Sequence, residues 1–258
     1  PQFFGKRFCS RPLRLLSAVT AVITMTVYLL SVMQGIGTLM HVVTNVNYNL
    51  CVTMAVIVFT ILTVTSGSHG VLITDTIMAG VFTVAQIVTV FVISNKAGGW
   101  FAAVRTIGAD LSLSGLLSCG GVPGVLYHTG WENLTWCMIN TVVWTSVCMV
   151  GPWQSSRYLM AKDEHAVIRS APISAIGIFL VEFMVSITAV ILHLFQPEVE
   201  SSSHVMIWAA MNILPMALGV VFLVGVLSAG ISSATTFLSL IAASVANDIV
   251  LTGREETP

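Results

Sequence analysis

The last long apolar stretch of the sequence carries a dense set of hydroxyl side chains. Four of its residues recur at the i, i+3, i+4 and i+7 spacing that places side chains on one face of a helix. They are Ala229, Ser232, Ser233 and Thr236. Hydroxyl oxygens beside a small residue can coordinate a hard monovalent cation that has shed its water, with backbone carbonyls of a neighbouring unwound helix completing the shell. Because Ser and Thr also hold helices together in membranes, the spacing leaves an ion site and a packing seam both open.

A second candidate is a carboxylate inside another apolar stretch. Glu182 lies near the middle of that stretch, and an ionisable group in hydrocarbon is a functional candidate because its charge is costly there. A structural partner within a helix bundle is the alternative interpretation of this residue. Gln34 and Gln86 also lie in apolar stretches, and we expect both to hydrogen-bond towards the interior of a bundle.

The composition places these residues in a membrane. Of the 258 residues, 56% are hydrophobic and 8% are charged, whereas a soluble domain has about 25% charged residues. The chain has too few charges to cover the outside of a soluble fold of this size, so the apolar excess must face lipid. The net charge of -1 gives no support for nucleic-acid binding.

Six apolar segments position the candidate residues. They are long enough, or nearly so, to cross the roughly 30 Å hydrocarbon layer at about 1.5 Å per residue. They are continuous rather than alternating, which indicates helices and excludes strands. The last segment would form about 50 Å of helix, so we expect it to tilt, to extend beyond the membrane or to break. The segments are residues 15–40, 50–65, 76–93, 134–152, 171–195 and 214–246.

The basic residues predict the orientation. If the first fourteen residues are a cytoplasmic polar loop, alternate crossings place eight Lys and Arg residues inside and only Lys96 and Arg105 outside. This distribution satisfies the positive-inside rule. Residues 94–133 then form an outer loop rich in Gly and Ser, and residues 205–213 form a short helix at the outer surface before Pro215. We expect an integral, multi-pass protein of the plasma (inner) membrane with a cytoplasmic N-terminus.

Four stretches of the chain carry motifs that occur together, in this order, in one transporter family. They are KRFCSRPLRLL (residues 6–16), TSGSHGVLITDT (65–76), PWQSSRYLMA (152–161) and LSAGISSATTFLSLIAASVANDIV (227–250). The last resembles the signature of the sodium/solute symporter family, in which small residues precede paired hydroxyls and a later Asp-Ile. The other three resemble cytoplasmic loops of that family. The stretch after Pro152 is closer to the proline and pantothenate branch than to the sugar branch.

The resemblance implies an all-α membrane protein, a multi-helix bundle that is part of a ten-helix core of two inverted five-helix repeats. The implied function is sodium-coupled symport of a small organic solute by alternating access, with no catalysis and no cofactor beyond Na⁺ as the coupling ion. We expect residues 1–258 to be one transmembrane domain and an internal fragment, with core helices three to eight but not the first. A membrane input domain of a signalling protein built on the same fold is the alternative.

The resemblance also implies a sodium site on the last helix. Ala229 would supply a backbone carbonyl to sodium, and Ser232 and Ser233 would supply their hydroxyls. Thr236, one turn further on, matches a position linked to a second sodium in some members. These are the same four residues that share a helix face by their spacing.

Three further residues have less specific implied roles. Asp75 matches the family's loop Asp, which is thought to help sodium leave towards the cytoplasm, and the alternative is a carboxylate that caps a helix from Thr76 onward. Trp144 stands where sugar-transporting relatives place an Asn, so it is a candidate for contact with a smaller organic solute, with lipid or helix contact as the alternative. Glu182 is the other candidate for solute contact.

Overall fold

The computed structural model describes residues 1–110, 113–117, 129–195 and 201–251, without the side chains of residues 66–72, 74, 114 and 202. These residues are mostly helical and contain no strand, which confirms the predicted all-α fold class. The α-helices are α1 (Gln2–Phe8), α2 (Arg11–Thr44), α3 (Tyr48–Lys96), α4 (Trp100–Ala109), α5 (Gly130–Val150), α6 (Pro152–Leu159), α7 (Glu164–Leu192), α8 (Val205–Asn212) and α9 (Met216–Ser244). A π-helical turn, Val245–Val250, follows α9.

Six helical stretches are long and apolar enough to cross a membrane. Each overlaps one of the apolar segments read from the sequence, because the same property, a long continuous apolar run, defines both. The chain is therefore an integral multi-pass membrane protein. The stretches are Arg11–Thr44, Tyr48–Thr65, Asp75–Lys96, Gly130–Leu159, Glu164–Leu192 and Met216–Val250.

The helix α3 differs from the sequence prediction. Residues 65–76 were expected to form a loop, but helical backbone continues through them and α3 is a single helix of 49 residues. The stretch has no proline, and two isolated glycines cost only about 1 kcal/mol each relative to alanine. Since nucleation is the expensive step, helix already formed on both sides propagates through such a stretch.

Two predicted loops also contain helix. The first fourteen residues form α1 and the start of α2, with Ser10 Oγ accepting a hydrogen bond from the Leu13 amide at 3.4 Å as the N-cap of α2. The outer segment 94–133 contains α4 and a short 3₁₀ turn, Ser114–Leu117, while its residues 111–112 and 118–128 lie outside the described residues. The short helix predicted before Pro215 is confirmed as α8.

The chain divides into two compact units, and the first comprises Pro1–Gly80 with Val224–Pro258. Its core joins α2, α3 and α9 through a cluster of buried side chains. At one crossing, a Cβ on Gly230 would lie 2.7 Å from Ile36 Cδ1, so the absence of a side chain allows α9 to approach α2 closely. The buried cluster consists of Met33, Ile36, Ala55, Phe59 and Ala234.

An ion pair ties the two ends of this first unit together. Arg14 Nε donates to Asp248 Oδ1 at 3.1 Å, and Arg14 Nη2 donates to the Asn247 carbonyl at 3.2 Å. Asp248 lies in the π-helical turn, and only 8% of its side chain is exposed. The contact therefore holds the first turn of α2 against the turn that follows α9.

The second unit comprises Val81–Leu223. Gln86 of α3 donates from Nε2 to Thr188 Oγ1 of α7 at 3.3 Å, and both residues are fully buried. Lys96, the last residue of α3, donates to the carbonyl of Ile213 just after α8. A Cβ on Gly219 would collide with the Ala210 carbonyl oxygen, so α8 and the start of α9 are in backbone contact.

Candidate functional site

The helix α9 has two opposite faces within the first unit. Leu227, Ile231 and Leu238 pack against the buried cluster that includes Ala234, and these positions share one face because residues three, four and seven apart align on a helix. At about 100° per residue, the face that carries Ser232, Ser233 and Thr236 is turned roughly half a revolution away. The predicted ion-binding face is therefore not the face that packs against α2 and α3.

Hydrogen bonding separates the hydroxyls of α9 into two groups. The hydroxyl of Thr235 donates to the Ile231 carbonyl at 3.0 Å, and that of Ser239 donates to the Thr235 carbonyl at 2.8 Å. Such bonds to the preceding turn satisfy a hydroxyl within its own helix. In the part of the chain that the structure describes, the hydroxyls of Ser232 and Ser233 have no hydrogen-bond partner. Their donors and lone pairs are thus available to a ligand.

The solvent exposure of the four candidate residues of α9 is compatible with an ion site that is open on one side. Ser232, Ser233 and Thr236 are half-buried, and Ala229 is exposed. The Ala229 carbonyl lies within regular helix, so an ion would use its second lone pair, which the helical hydrogen bond leaves free. One carbonyl and two or three hydroxyls are too few oxygens for a dehydrated sodium ion. The remaining ligands must come from outside this helix.

The interpretation of Asp75 as a helix cap is wrong. Asp75 and Thr76 lie in the interior of α3, where the preceding turn already supplies carbonyl acceptors and the carboxylate has no free helix start to cap. Asp75 is half-buried and directly precedes the apolar run of residues 76–93 in the sequence. Its carboxylate therefore stands beside that apolar run.

The two candidates for solute contact lie on different helices of the second unit. Trp144, on α5, is 48% exposed. Glu182, on α7, is also exposed. Within the described ranges, its carboxylate has no hydrogen-bond or ion-pair partner, so the partner that the alternative interpretation requires is not found there. No hydrogen bond or aromatic contact between described residues brings Trp144 and Glu182 together.

The two glutamines behave differently from each other. Gln86 is fully buried and hydrogen-bonded to Thr188, which confirms the expectation that it hydrogen-bonds inside the bundle. Gln34 is exposed on α2, so the same expectation is wrong for that residue. Its neighbours Met33 and Ile36 occupy the packed face, and Gln34 is turned away from them by about 100° or more of helix rotation.

Sequence reasoning missed the pairing of Arg14 with Asp248. Arg14 contributed only to the charge balance across the membrane, and Asp248 only to the resemblance of the last motif. A signal was present, because each charge stands at the end of an apolar segment where it needs a partner or water. Nothing local connects the two, since they are separated by 234 positions.

Comparison with known proteins gives one family. The model of the sodium:solute symporter family matches residues 1–256 of the chain. Searches of curated proteins and of solved structures each give no match. The match covers all four of the stretches that carry the motifs and all of α9, the helix with the hydroxyl face.

Proposed function

The chain belongs to the sodium:solute symporter family, and from this premise we propose that it couples the entry of sodium to the transport of a small organic solute. The family is a transporter family, and membership implies sodium and a solute as the transported species. The proposal assigns sodium binding to the face of α9 that carries Ser232 and Ser233. No cofactor is needed beyond Na⁺ as the coupling ion.

One observation carries the assignment of the site. Ser232 and Ser233 are half-buried and have no hydrogen-bond partner among the described residues, while nearby Thr235 and Ser239 bond to their own helix. A packing seam would bury the small face against a neighbouring helix. In the first unit, the face that packs against α2 and α3 is instead the opposite one. Ala229 and Thr236 complete the proposed set, with Thr236 as the ligand of a second sodium if one binds.

The proposed mechanism is alternating access. Sodium moving inward gains roughly 2.3 kcal/mol per charge at 100 mV, and a tenfold gradient adds roughly 1.4 kcal/mol. One sodium could therefore support roughly 500-fold accumulation of solute. Sodium on α9 would stabilise one arrangement of the helices, and a solute that prefers this arrangement would bind more tightly by linkage.

The remaining roles are proposed with the site. Asp75 would help sodium leave towards the cytoplasm, because a carboxylate beside an apolar run attracts a departing cation. Trp144 and Glu182 would contact the solute. The fold would be part of a ten-helix core of two inverted repeats, and the slight sequence preference for the proline and pantothenate branch guides the choice of solutes to test.

The proposed orientation follows the basic residues. If Tyr48–Thr65 and Asp75–Lys96 cross the membrane as two separate spans, a cytoplasmic N-terminus in the plasma membrane would place Arg157, Lys162 and Arg169 on the cytoplasmic side, and Lys96 and Arg105 on the other. Arg254, which belongs to the same count, lies outside the described residues. Labelling single cysteines from either side of intact cells tests this orientation.

The decisive experiment measures sodium binding without requiring the solute. The full-length transporter is purified, and binding of radioactive sodium is measured for Ser232→Ala and Ser233→Ala. Each change removes one hard oxygen ligand, so we expect the sodium concentration for half-maximal binding to rise more than about tenfold for at least one of them. Ser239→Ala is the matched control, because the Ser239 hydroxyl is on the same helix but bonds to the Thr235 carbonyl.

Unchanged sodium affinity in both Ser variants would contradict the site, since small-residue seams tolerate Ala and predict no change. An equal loss of affinity in Ser239→Ala would mean that the loss comes from the helix as a whole. Uptake of radioactive proline and pantothenate into vesicles, with and without sodium, tests the coupling itself.

A further inference from the structure

A buried polar cluster lies in the second unit, where α3 meets α7. Gln86 Nε2 donates to Thr188 Oγ1 at 3.3 Å, and Thr188 Oγ1 donates to the Met184 carbonyl at 2.8 Å. Gln86 and Thr188 are both 0% exposed. Gln86 lies near the middle of the membrane-spanning stretch Asp75–Lys96. The amide nitrogen of Gln86 and the hydroxyl of Thr188 are thus satisfied far from bulk water.

Two other atoms of this cluster are not satisfied by the protein. Gln86 Oε1 and Thr89 Oγ1 are buried, and neither has a hydrogen-bond partner in the described chain. Thr89 is 1% exposed and follows Gln86 by three residues, so the two side chains lie on the same face of α3.

The hydroxyl of Thr89 does not bond in the way that other threonines of α3 do. Thr53, Thr60 and Thr63 each donate to the carbonyl four residues earlier, at 2.7 to 2.8 Å. That carbonyl is the usual acceptor for a Thr in a membrane helix. Because Thr89 does not use it, its hydroxyl needs a partner elsewhere, and the Gln86 oxygen on the same face needs a donor.

The surroundings limit what this partner can be. Ile93, one turn after Thr89, is 0% exposed, and Ile191 and Leu192, which follow Thr188, are each 1% exposed. These apolar side chains cannot pair with the two unsatisfied oxygens. The cluster has no charged group and offers two unsatisfied oxygens, which are too few for a dehydrated cation.

We propose that one buried water molecule bridges Gln86 and Thr89 at this place between α3 and α7. The water donates one hydrogen to Gln86 Oε1 and forms its second hydrogen bond with Thr89 Oγ1. Buried waters typically satisfy polar groups that the protein leaves unpaired, and a polar site with two or more partners retains them. This hydration site does not depend on sodium binding at α9.

A density map of the full-length protein at a resolution that shows water is the direct test. The map is recorded without added organic solute, so that a peak at the site reports water and not a hydroxyl or amino group of a solute. We expect a peak within hydrogen-bond distance of both Gln86 Oε1 and Thr89 Oγ1. A well-resolved cluster without such a peak would overturn the proposal.

Stability measurements provide an independent test. Thr89→Val has nearly the same shape and removes the hydroxyl that holds the water, so we expect the midpoint of thermal unfolding to fall by about 3–5 °C. Thr63→Val is the matched control on the same helix, where the lost bond is to the helix's own carbonyl, and we expect little change. If Thr89→Val is as stable as the wild type or more stable, the Thr89 hydroxyl contributes no hydrogen bond and the proposed bridge between Gln86 and Thr89 is overturned.

Discussion

The guanidinium of Arg14 and the carboxylate of Asp248 lie 3.1 Å apart, from Nη2 to Oδ1, although 234 positions separate the two residues in the chain. The side chains are 16% and 8% exposed, respectively. The pair joins the start of α2 to the π-helical turn after α9. The π-helical turn therefore attaches the end of α9, the helix that carries the proposed sodium ligands, to α2.

Breaking this pair on one side should destabilise the protein. Arg14→Gln removes the charge-assisted hydrogen bond to the nearly buried Asp248 carboxylate, and we expect a loss of about 1.5–3 kcal/mol in the free energy of unfolding. The double variant Arg14→Met with Asp248→Leu removes both charges, so it should be more stable than Arg14→Gln. Thermal unfolding of the wild type, the single variants and the double variant measures the coupling. Strictly additive losses would show that the two charges do not interact.

The contact between Gly219 and Ala210 predicts a second stability effect. A methyl group at position 219 would collide with the Ala210 carbonyl oxygen, which is backbone and cannot rotate away. We expect Gly219→Ala to cost about 1–3 kcal/mol of stability, as overpacking does. Gly177→Ala is the control, because a Cβ there has nothing within 4 Å, and it should be neutral or stabilising by about 0.5–1 kcal/mol. Equal unfolding midpoints for the two variants would contradict the close approach of α8 and α9.

The packed face of α9 can be tested in the same way. Ala234 is 0% exposed within the cluster formed with α2 and α3, so Ala234→Leu should cost about 1–3 kcal/mol through overpacking. Ala242→Leu places the same side chain at an exposed position of α9 and should leave the unfolding midpoint near that of the wild type. A reversed order of stability would mean that α9 packs through the other face.

The variant Thr236→Ala tests whether the protein binds one sodium ion or two. If only one ion binds, Thr236→Ala should weaken sodium binding less than Ser233→Ala does, and the number of ions bound per protein should stay the same. If Thr236 is a ligand of a second ion, that number falls by one. Binding of radioactive sodium, measured to saturation, gives both quantities. No change in either would remove Thr236 from the site.

The exposed carboxylate of Glu182 leads us to expect that this face of α7 contacts water or the solute. An unpaired carboxylate facing hydrocarbon is costly, so we expect Glu182→Cys, in a cysteine-free background, to react with a charged thiol reagent. Phe183→Cys is the control, because Phe183 is exposed and apolar at the next position, about 100° around the helix. Equal protection of both cysteines from the reagent would place Glu182 against lipid or protein.

The membrane class, the six spanning stretches and the hydroxyl face of α9 could be predicted from sequence alone. Each depends on neighbouring residues: apolar length sets whether a segment crosses hydrocarbon, and helical periodicity sets which side chains share a face. The short helix α8 was predictable for a similar reason, because Pro215 marks the position where a new helix begins. The continuity of α3 was not predictable, because whether two glycines interrupt a helix depends on the helix already formed on either side.

Only the tertiary structure decided which partners these elements meet. The same periodicity that groups Ser232 with Ser233 also groups Leu227 with Ile231, and the contacts of Ile36 and Phe59 determine which of the two faces is packed. The pairs Arg14 with Asp248 and Gln86 with Thr188 join residues 234 and 102 positions apart. A local sequence pattern does not predict such pairs, because their energy comes from burial and hydrogen bonds that exist only once the helices have packed.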